Sequence, residues 1–318
     1  MSLKFGIGIH NCREGKDYPS GFTKPEDILD LATMAEKSGF YSLWADDHIT
    51  PDEALRKKDP VAPRFFEPFI VLAQVSAVTK KIKIGMGVLV SIWRDPVLAA
   101  KQIATMDVFS KGRILMGVGL GGSRFEFEAV NPRWKDAHRG KILNEQIEVM
   151  RLLFEQDHVN YNGQFYQVAD VSFYPKPVQS PLPLYFTGST EDNLLRAAKW
   201  GQGHFFSPKL DALRLGIEQL KPLLQNEKRD ISQIDILIST SVSIARTHKE
   251  AEDRMSRARV MARKDHMVGT PAEIIEKIRE FQKAGLTHYT AQRWAANSYG
   301  ELKEQAQMFA EEVMPAFK

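Results

Sequence analysis

The segment Lys81–Gly122, KIKIGMGVLVSIWRDPVLAAKQIATMDVFSKGRILMGVGLGG, decides how the chain is read. It opens with a short, almost continuously apolar run, KIKIGMGVLV, and closes with a second, ILMGVGL, that ends in Gly121-Gly122. Between them Asp95 is placed to cap a helix that starts at Pro96 and turns Val97, Ala100, Ile103 and Met106 inward. Short apolar runs bounded by turn residues are buried strands, and strand–helix–strand is a parallel pair joined by a crossover. Glycines crowd the carboxyl ends of both strands, the side on which parallel sheets take their ligands.

Gly117-x-Gly119-x-x-Gly122 has the spacing of a dinucleotide-binding fingerprint. That motif belongs in the first βα turn and runs directly into a helix. Here it follows three βα units and leads into SRFEFEAVNP, which reads as irregular, so it is taken as a loop at the rim of a larger sheet.

Working outward, LKFGIGIH is the first strand, and Thr23-x-x-Glu26 with Pro25 reads as a capping box opening a helix that stops at Gly39. Tyr41–Ala45 is the second strand and ends in Asp46-Asp47-His48. Beyond the opening segment, VNYNGQFYQV is a β-hairpin turning at Asn162-Gly163, an insertion beside the main sheet. LYFTG follows, and Gly188-Ser189-Thr190 opens the next helix. GHFFS, the stretch Ile234 to Ala245, and THYTAQR complete the strands. KEAEDRMSRARVMARK reads as a charged, solvated helix, and Thr270-x-x-Glu273 repeats the capping pattern. About eight strands alternating with helices predict a (β/α)8 TIM barrel with an inserted hairpin, one domain over residues 1–318.

Bulk properties exclude several classes. At 43% hydrophobic and 26% charged, the composition is that of a globular protein. A formal charge of +3, evenly spread, gives no nucleic-acid footprint. Cys12 is the sole cysteine, so no intrachain disulfide is expected. No apolar run reaches the ~20 residues of a membrane span, and a cytoplasmic location is expected.

In a barrel the carboxyl ends of the strands converge on one mouth. The residues placed there include no His-x-x-x-His spacing and no Gly-x-Ser-x-Gly elbow, so neither a metal site nor a serine nucleophile is expected. Asp47-His48 is the acid–base candidate, since histidine titrates near neutrality and a neighbouring carboxylate can fix its tautomer; a purely structural pair is the alternative. Gly188-Ser189-Thr190 offers hydroxyls and free N–H groups to a phosphate, or is a plain helix cap. Trp93, Phe186 and Trp294 are aromatic candidates for a pocket wall.

Taken in order, WADDHI, EPFIVLAQVSAVTKKIKIGMGVLV, RDPVLAAKQIATMDVFSKGRILMGVGLGG, YNGQFYQV, FYPKPVQ, LYFTGST and VGTPAEI closely resemble the successive motifs of the bacterial luciferase-like monooxygenase superfamily. The resemblance covers essentially the whole chain. It implies first a two-component monooxygenase that uses reduced FMN and oxygen on a small organic substrate and is fed by a separate flavin reductase, with deazaflavin-dependent hydride transfer as the alternative, and a homodimer. It also implies a non-prolyl cis peptide at Gly87-Val88 behind the flavin ring, a phosphate loop at Gly188, Ser189 and Thr190, and proton handling by His48 with Asp47 orienting it. Two departures stand out. Asp47 occupies the place of the first of the paired histidines in the luciferase branch, and Gly122 and Asp52 stand where the deazaflavin sugar-phosphate dehydrogenases carry a glutamate and a tryptophan. A non-redox barrel enzyme acting on a phosphorylated substrate is the remaining alternative; it requires a Schiff-base lysine or paired acids, and Lys209 reads as helix surface.

Overall fold

A computed structural model describes residues 2–51, 53–260 and 266–318. The strands are β1 (Lys4–Gly8), β2 (Ser42–Ala45), β3 (Lys83–Leu89), β4 (Ile114–Val118), β5 (His158–Asn162), β6 (Gln167–Ser172), β7 (Leu184–Thr187), β8 (Gly203–Phe206), β9 (Asp235–Ile244), β10 (Met267–Gly269) and β11 (His288–Trp294). Parallel pairing runs β1-β2-β3-β4-β7-β8-β9-β11 and returns to β1, closing the (β/α)8 barrel. β5 and β6 pair antiparallel outside it as the expected hairpin, but Asn162 is still paired with Gln167, and the turn is made by residues 163–166 and not by Asn162-Gly163. β10 pairs with the far end of β9 and was not legible as a strand.

The helix caps follow sequence in most places. Asp95 accepts the N–H groups of Val97 and Leu98, and Thr270 and Glu273 form a reciprocal capping box. The box expected at Thr23 is absent. The helix Pro25–Lys37 is capped by Lys24 with no side-chain bond, and the Thr23 hydroxyl donates to the His10 carbonyl at 2.9 Å instead. Thr23 thus ties the first helix back onto the loop after β1. The charged helix spans His248–Arg257, and the end of its predicted range, residues 261–264, lies outside the described residues.

Two layers of apolar side chains hold the barrel. The larger lies between strands and helices, and a smaller one fills the barrel with Trp44, Leu115, Tyr185, Phe205 and Leu237. Trp44 fits because Gly85 lies beside it: a Cβ on Gly85 would come 2.3 Å from the indole ring. The indole N–H donates to Ser42 Oγ at 2.8 Å, and Ser42 Oγ meets His288 Nε2 at 2.8 Å. His288 Nδ1 faces Asp235 Oδ2 at 3.3 Å, and the same carboxylate accepts from Lys4 Nζ (3.0 Å), Tyr185 Oη (2.8 Å) and Thr287 Oγ1 (2.8 Å). Burial favours a neutral His288, so the network assigns its proton to Nδ1. One polar network therefore links β1, β2, β7, β9 and β11 at the barrel floor.

Burial alone would raise the Asp235 pKa, but the hydrogen bond from His288 and the charge of Lys4 hold the carboxyl below the usual carboxylate range. A depressed folded-state pKa contributes stability that is present above the unfolded value and lost as pH falls through the folded one. Asp235→Asn is therefore expected to cost about 3–5 kcal/mol at neutral pH. In urea titrations across pH, the gap between wild type and variant should shrink below about pH 4; a gap that stays constant would contradict the ionised network.

Candidate active site

The loop after β2 is held from both sides by ion pairs. Asp46 accepts from Arg13 Nε at 2.7 Å, and the Asn11 side chain brackets the Asp46 backbone with bonds of 2.8 and 2.9 Å. Asp47 is fully covered, accepts the Val90 N–H at 2.9 Å, and pairs with both Nη atoms of Arg94 at 2.7 and 3.0 Å. Burial pushes the Asp47 carboxyl up, opposed by Arg94. The expectation that Asp47 orients His48 is not met. Its carboxylate is spent on the turn after β3, so Asp47 staples the β2 loop to the end of β3.

Glu126 supplies the carboxylate that His48 receives. It sits in a short helix, Arg124–Val130, where the sequence reading expected irregular chain. Its Oε2 lies 3.0 Å from His48 Nδ1, and its Oε1 accepts the Ile49 N–H at 3.0 Å. Burial alone would raise Glu126, but His48 and the Ile49 N–H hold it below its usual range. A signal for this helix was present: Ser123-x-x-Glu126 has capping-box spacing, and Ser123 Oγ accepts the Glu126 N–H at 3.3 Å. Lys16 Nζ lies 3.2 Å from His48 Nε2 and 3.4 Å from Nδ1, so the ammonium rests against the ring and is not aligned on one nitrogen. Donation of Nδ1–H to Glu126 fixes the neutral tautomer and leaves the Nε2 lone pair to accept. Gly122, where the resemblance marks a missing glutamate, lies just outside the helix that carries Glu126; Asp52 lies outside the described residues.

Lys16 lines a cavity of about 780 Å³ at the barrel mouth, with Arg13, Asp17, Ser207, Ser239 and Arg293 among its walls. Across the mouth, Gly87-Val88 is cis, as the resemblance implies, in an irregular stretch of β3 between Met86 and Leu89. Val88 packs on the aromatic layer inside the barrel. In the closed strand order, β3 lies diametrically opposite β9, which carries Ser239 to the cavity.

Gly188 has φ +101°, a conformation that disfavours a side chain, and its carbonyl faces His204 Nε2 at 3.0 Å. Ser189 and Thr190 are exposed, and Thr190 caps the helix Glu191–Trp200 without a side-chain bond. Both hydroxyls are thus available at a helix N-terminus. Phe186 and Trp294 do not line the cavity; both are buried in the layer between strands and helices. Lys209, read from sequence as helix surface, is exposed and lines the cavity.

The chemistry of these residues suits a large polar-rimmed cofactor. Gln292, at the carboxyl end of β11, is 4% exposed, and neither of its amide atoms has a partner among the described residues. His10, just beyond β1, likewise has two unpartnered ring nitrogens, and burial lowers its pKa to about 3. Buried polar atoms without partners are costly, and a ligand with donors and acceptors would relieve them.

Residues 3–266 match the sequence family of luciferase-like monooxygenases. The chain belongs to that family. Its members are enzymes, and the class is that of flavin-dependent oxidoreductases. The F420-dependent glucose-6-phosphate dehydrogenase of Amycolatopsis mediterranei is 30% identical over 71% of this chain and 68% of its own length. The oxygenase component of the flavin-dependent trigonelline monooxygenase of Acinetobacter baylyi is 22% identical over 99% of this chain and 96% of its own. Among solved structures, the coenzyme F420 dependent tetrahydromethanopterin reductase of Methanopyrus kandleri superposes with a TM-score of 0.78 at 20% identity, each chain covered in full. The monooxygenase RslO1 of Streptomyces bottropensis gives 0.80 at 20% identity, covering 99% of this chain and 100% of that one. Both redox branches of the family thus share this barrel.

Removing the Glu126 carboxylate tests the assigned pair. Glu126→Ala leaves His48 Nδ1 and the Ile49 N–H without their acceptor, at an expected cost of about 1–3 kcal/mol. Nitrogen NMR of the His48 ring should show a proton on Nδ1 in the wild type and a tautomer mixture in the variant. The same spectrum in both would contradict the assignment.

Proposed function

We propose that the protein exchanges a hydride between a deazaflavin-type coenzyme and a polar substrate at the barrel mouth, with His48 handling the accompanying proton. The observation that carries this reading is the Glu126–His48–Lys16 row beside an open, charged cavity. When bound, such a coenzyme supplies a ring carbon that gives or takes hydride. The chain's own residues supply the rest. Gly87-Val88 would back the ring, and Gly188, Ser189 and Thr190 would hold its phosphate. Glu126 keeps the His48 proton on Nδ1, which leaves Nε2 to accept a proton from a substrate hydroxyl or return one. Asp47, through Arg94, fixes the loop that carries His48.

The second reading is an FMN-dependent oxygenase component served by a separate flavin reductase, favoured by the relative that matches the chain over nearly its full length. Oxygen chemistry on a reduced flavin requires water exclusion, and the charged lining of this cavity weighs against it. A non-redox enzyme of phosphorylated substrates finds no support at Lys16, whose ammonium rests on His48.

Anaerobic titration with the deazaflavin coenzyme and, separately, with reduced FMN tests the choice. Tighter deazaflavin binding is expected; tight FMN binding followed by oxygen uptake on admission of air would select the oxygenase reading. Ser189→Ala with Thr190→Ala should weaken FMN more than riboflavin. His48→Gln should bind coenzyme normally yet lose about 10²–10⁴ in turnover.

A homodimer is proposed on a separate observation. The helix Pro68–Val78 carries no charged residue, yet Ile70 and Val78 are exposed, as are Leu98 and Phe109 on the helix Pro96–Ser110. Apolar surface of this kind marks contact surfaces. Sedimentation should show dimers that Ile70→Glu with Phe109→Glu converts to monomers; wild-type monomers at micromolar concentration would remove the proposal.

A further inference from the structure

We propose that the substrate carries an anionic group, a carboxylate or a phosphate monoester, seated between Lys16 and Arg293. This deepens the redox reading above and rests on His48 as the proton-handling residue. The walls of the mouth cavity include Arg13, Lys16, Lys58, Lys209, Arg259 and Arg293, against Asp17 as the acid among them. Some of these cations are matched by carboxylates: Arg13 by Asp46, Arg259 by Asp59. Two are under-compensated. Among the described residues Arg293 gives only its Nε to Asp17, at 2.9 Å, and Arg13 Nη1 lies 3.6 Å from that same carboxylate oxygen, so two guanidinium groups share it. Lys16 has no carboxylate within ion-pair distance among the described residues; its ammonium leans on an imidazole. Burial, then repulsion from Arg13, lowers the pKa of both Lys16 and Arg293, the behaviour of cations held in want of an anion.

The position of this seat separates it from the coenzyme phosphate. Lys16 follows β1, and Gly188 follows β7; these strands are diametrically opposed in the closed order. A phosphate at the Gly188 loop therefore leaves the Lys16 side of the mouth for the substrate. The same geometry couples recognition to chemistry. Lys16 Nζ lies 3.2 Å from His48 Nε2 and 3.4 Å from Nδ1, so its charge rests against the ring that must take the substrate proton. A substrate anion draws the ammonium off the ring and relieves the repulsion that an added proton would meet there, whereas a neutral analogue leaves it in place. Charge on the substrate then affects kcat as well as KM.

Calorimetric titration of the whole protein at low ionic strength with inorganic phosphate and, separately, malonate tests the seat, with the His48 ring followed by nitrogen NMR. The expected result is saturable anion binding that shifts Nε2. Lys16→Met and Arg293→Met should each weaken it by about tenfold or more, with Lys16→Arg retaining it. Ser189→Ala with Thr190→Ala should leave it unchanged. Phosphate alone binding commits the seat to a phosphate monoester, and both anions binding commits it to the wider class. Affinity unaltered by Lys16→Met and Arg293→Met, or lost instead with the Ser189 and Thr190 changes, overturns the proposal. Anion binding that follows Lys16 and Arg293 in a protein that takes up neither coenzyme supports the seat while removing the redox reading. Coenzyme binding with no such dependence removes the seat and leaves that reading standing.

Discussion

The Asp235 carboxylate is the constraint on which the barrel depends. It lies where β9 begins and gathers groups from β1, β7 and β11, while His288 passes the network on to Ser42 in β2. Parallel strands have no hairpins to fix their register, so contacts between strands distant in sequence must do so. A buried ionic network suits this task because its geometry is directional where apolar packing is not. Trp44 then sets the height of the inner layer, pinned by Ser42 below and accommodated by Gly85.

With the floor fixed, the mouth can be assembled from loops. Residues 46–50, directly after β2, form neither helix nor strand, and they are held by Arg13 on one side and Arg94 on the other. Both aspartates of Asp46-Asp47-His48 are consumed in that anchoring. The third residue is left to present a ring that meets Glu126 at Nδ1 and the Lys16 ammonium close to both nitrogens. A rigid scaffold bearing one partly exposed titratable group is the arrangement acid–base chemistry needs.

Much of the fold was legible because its signals are local. Apolar runs, Asp95-Pro96 and Thr270-Pro271 each encode an element by short-range physics, and all of these elements are present; the hairpin is present too, with its turn at residues 163–166. The Thr23 box failed because a long-range acceptor, the His10 carbonyl, competed for the hydroxyl. The site was legible only in part. His48 and the Gly188 loop stand out by residue type, but the partner of His48 does not. Adjacency in sequence suggested Asp47, yet neighbouring residues leaving a strand diverge, and Asp47 turns toward Arg94. Glu126 is 78 residues away from His48 and reaches it only through barrel closure. Lys16, in the loop after β1, has no sequence signature at all.

The departures from the resemblance are therefore better read in space than in alignment. Gly122 suggested a lost carboxylate, and the loss would matter if nothing replaced it. Just beyond it, the helix Arg124–Val130 swings Glu126 back against the β2 loop and restores a carboxylate to the histidine. The restored group faces Nδ1 rather than the cavity, so it holds a tautomer and does not itself meet substrate. That division leaves the Lys16 ammonium, close to both ring nitrogens, as the other polar neighbour of His48 among the described residues, so that in the proposed reaction the ammonium, not a second acid, is the group a substrate anion would draw away.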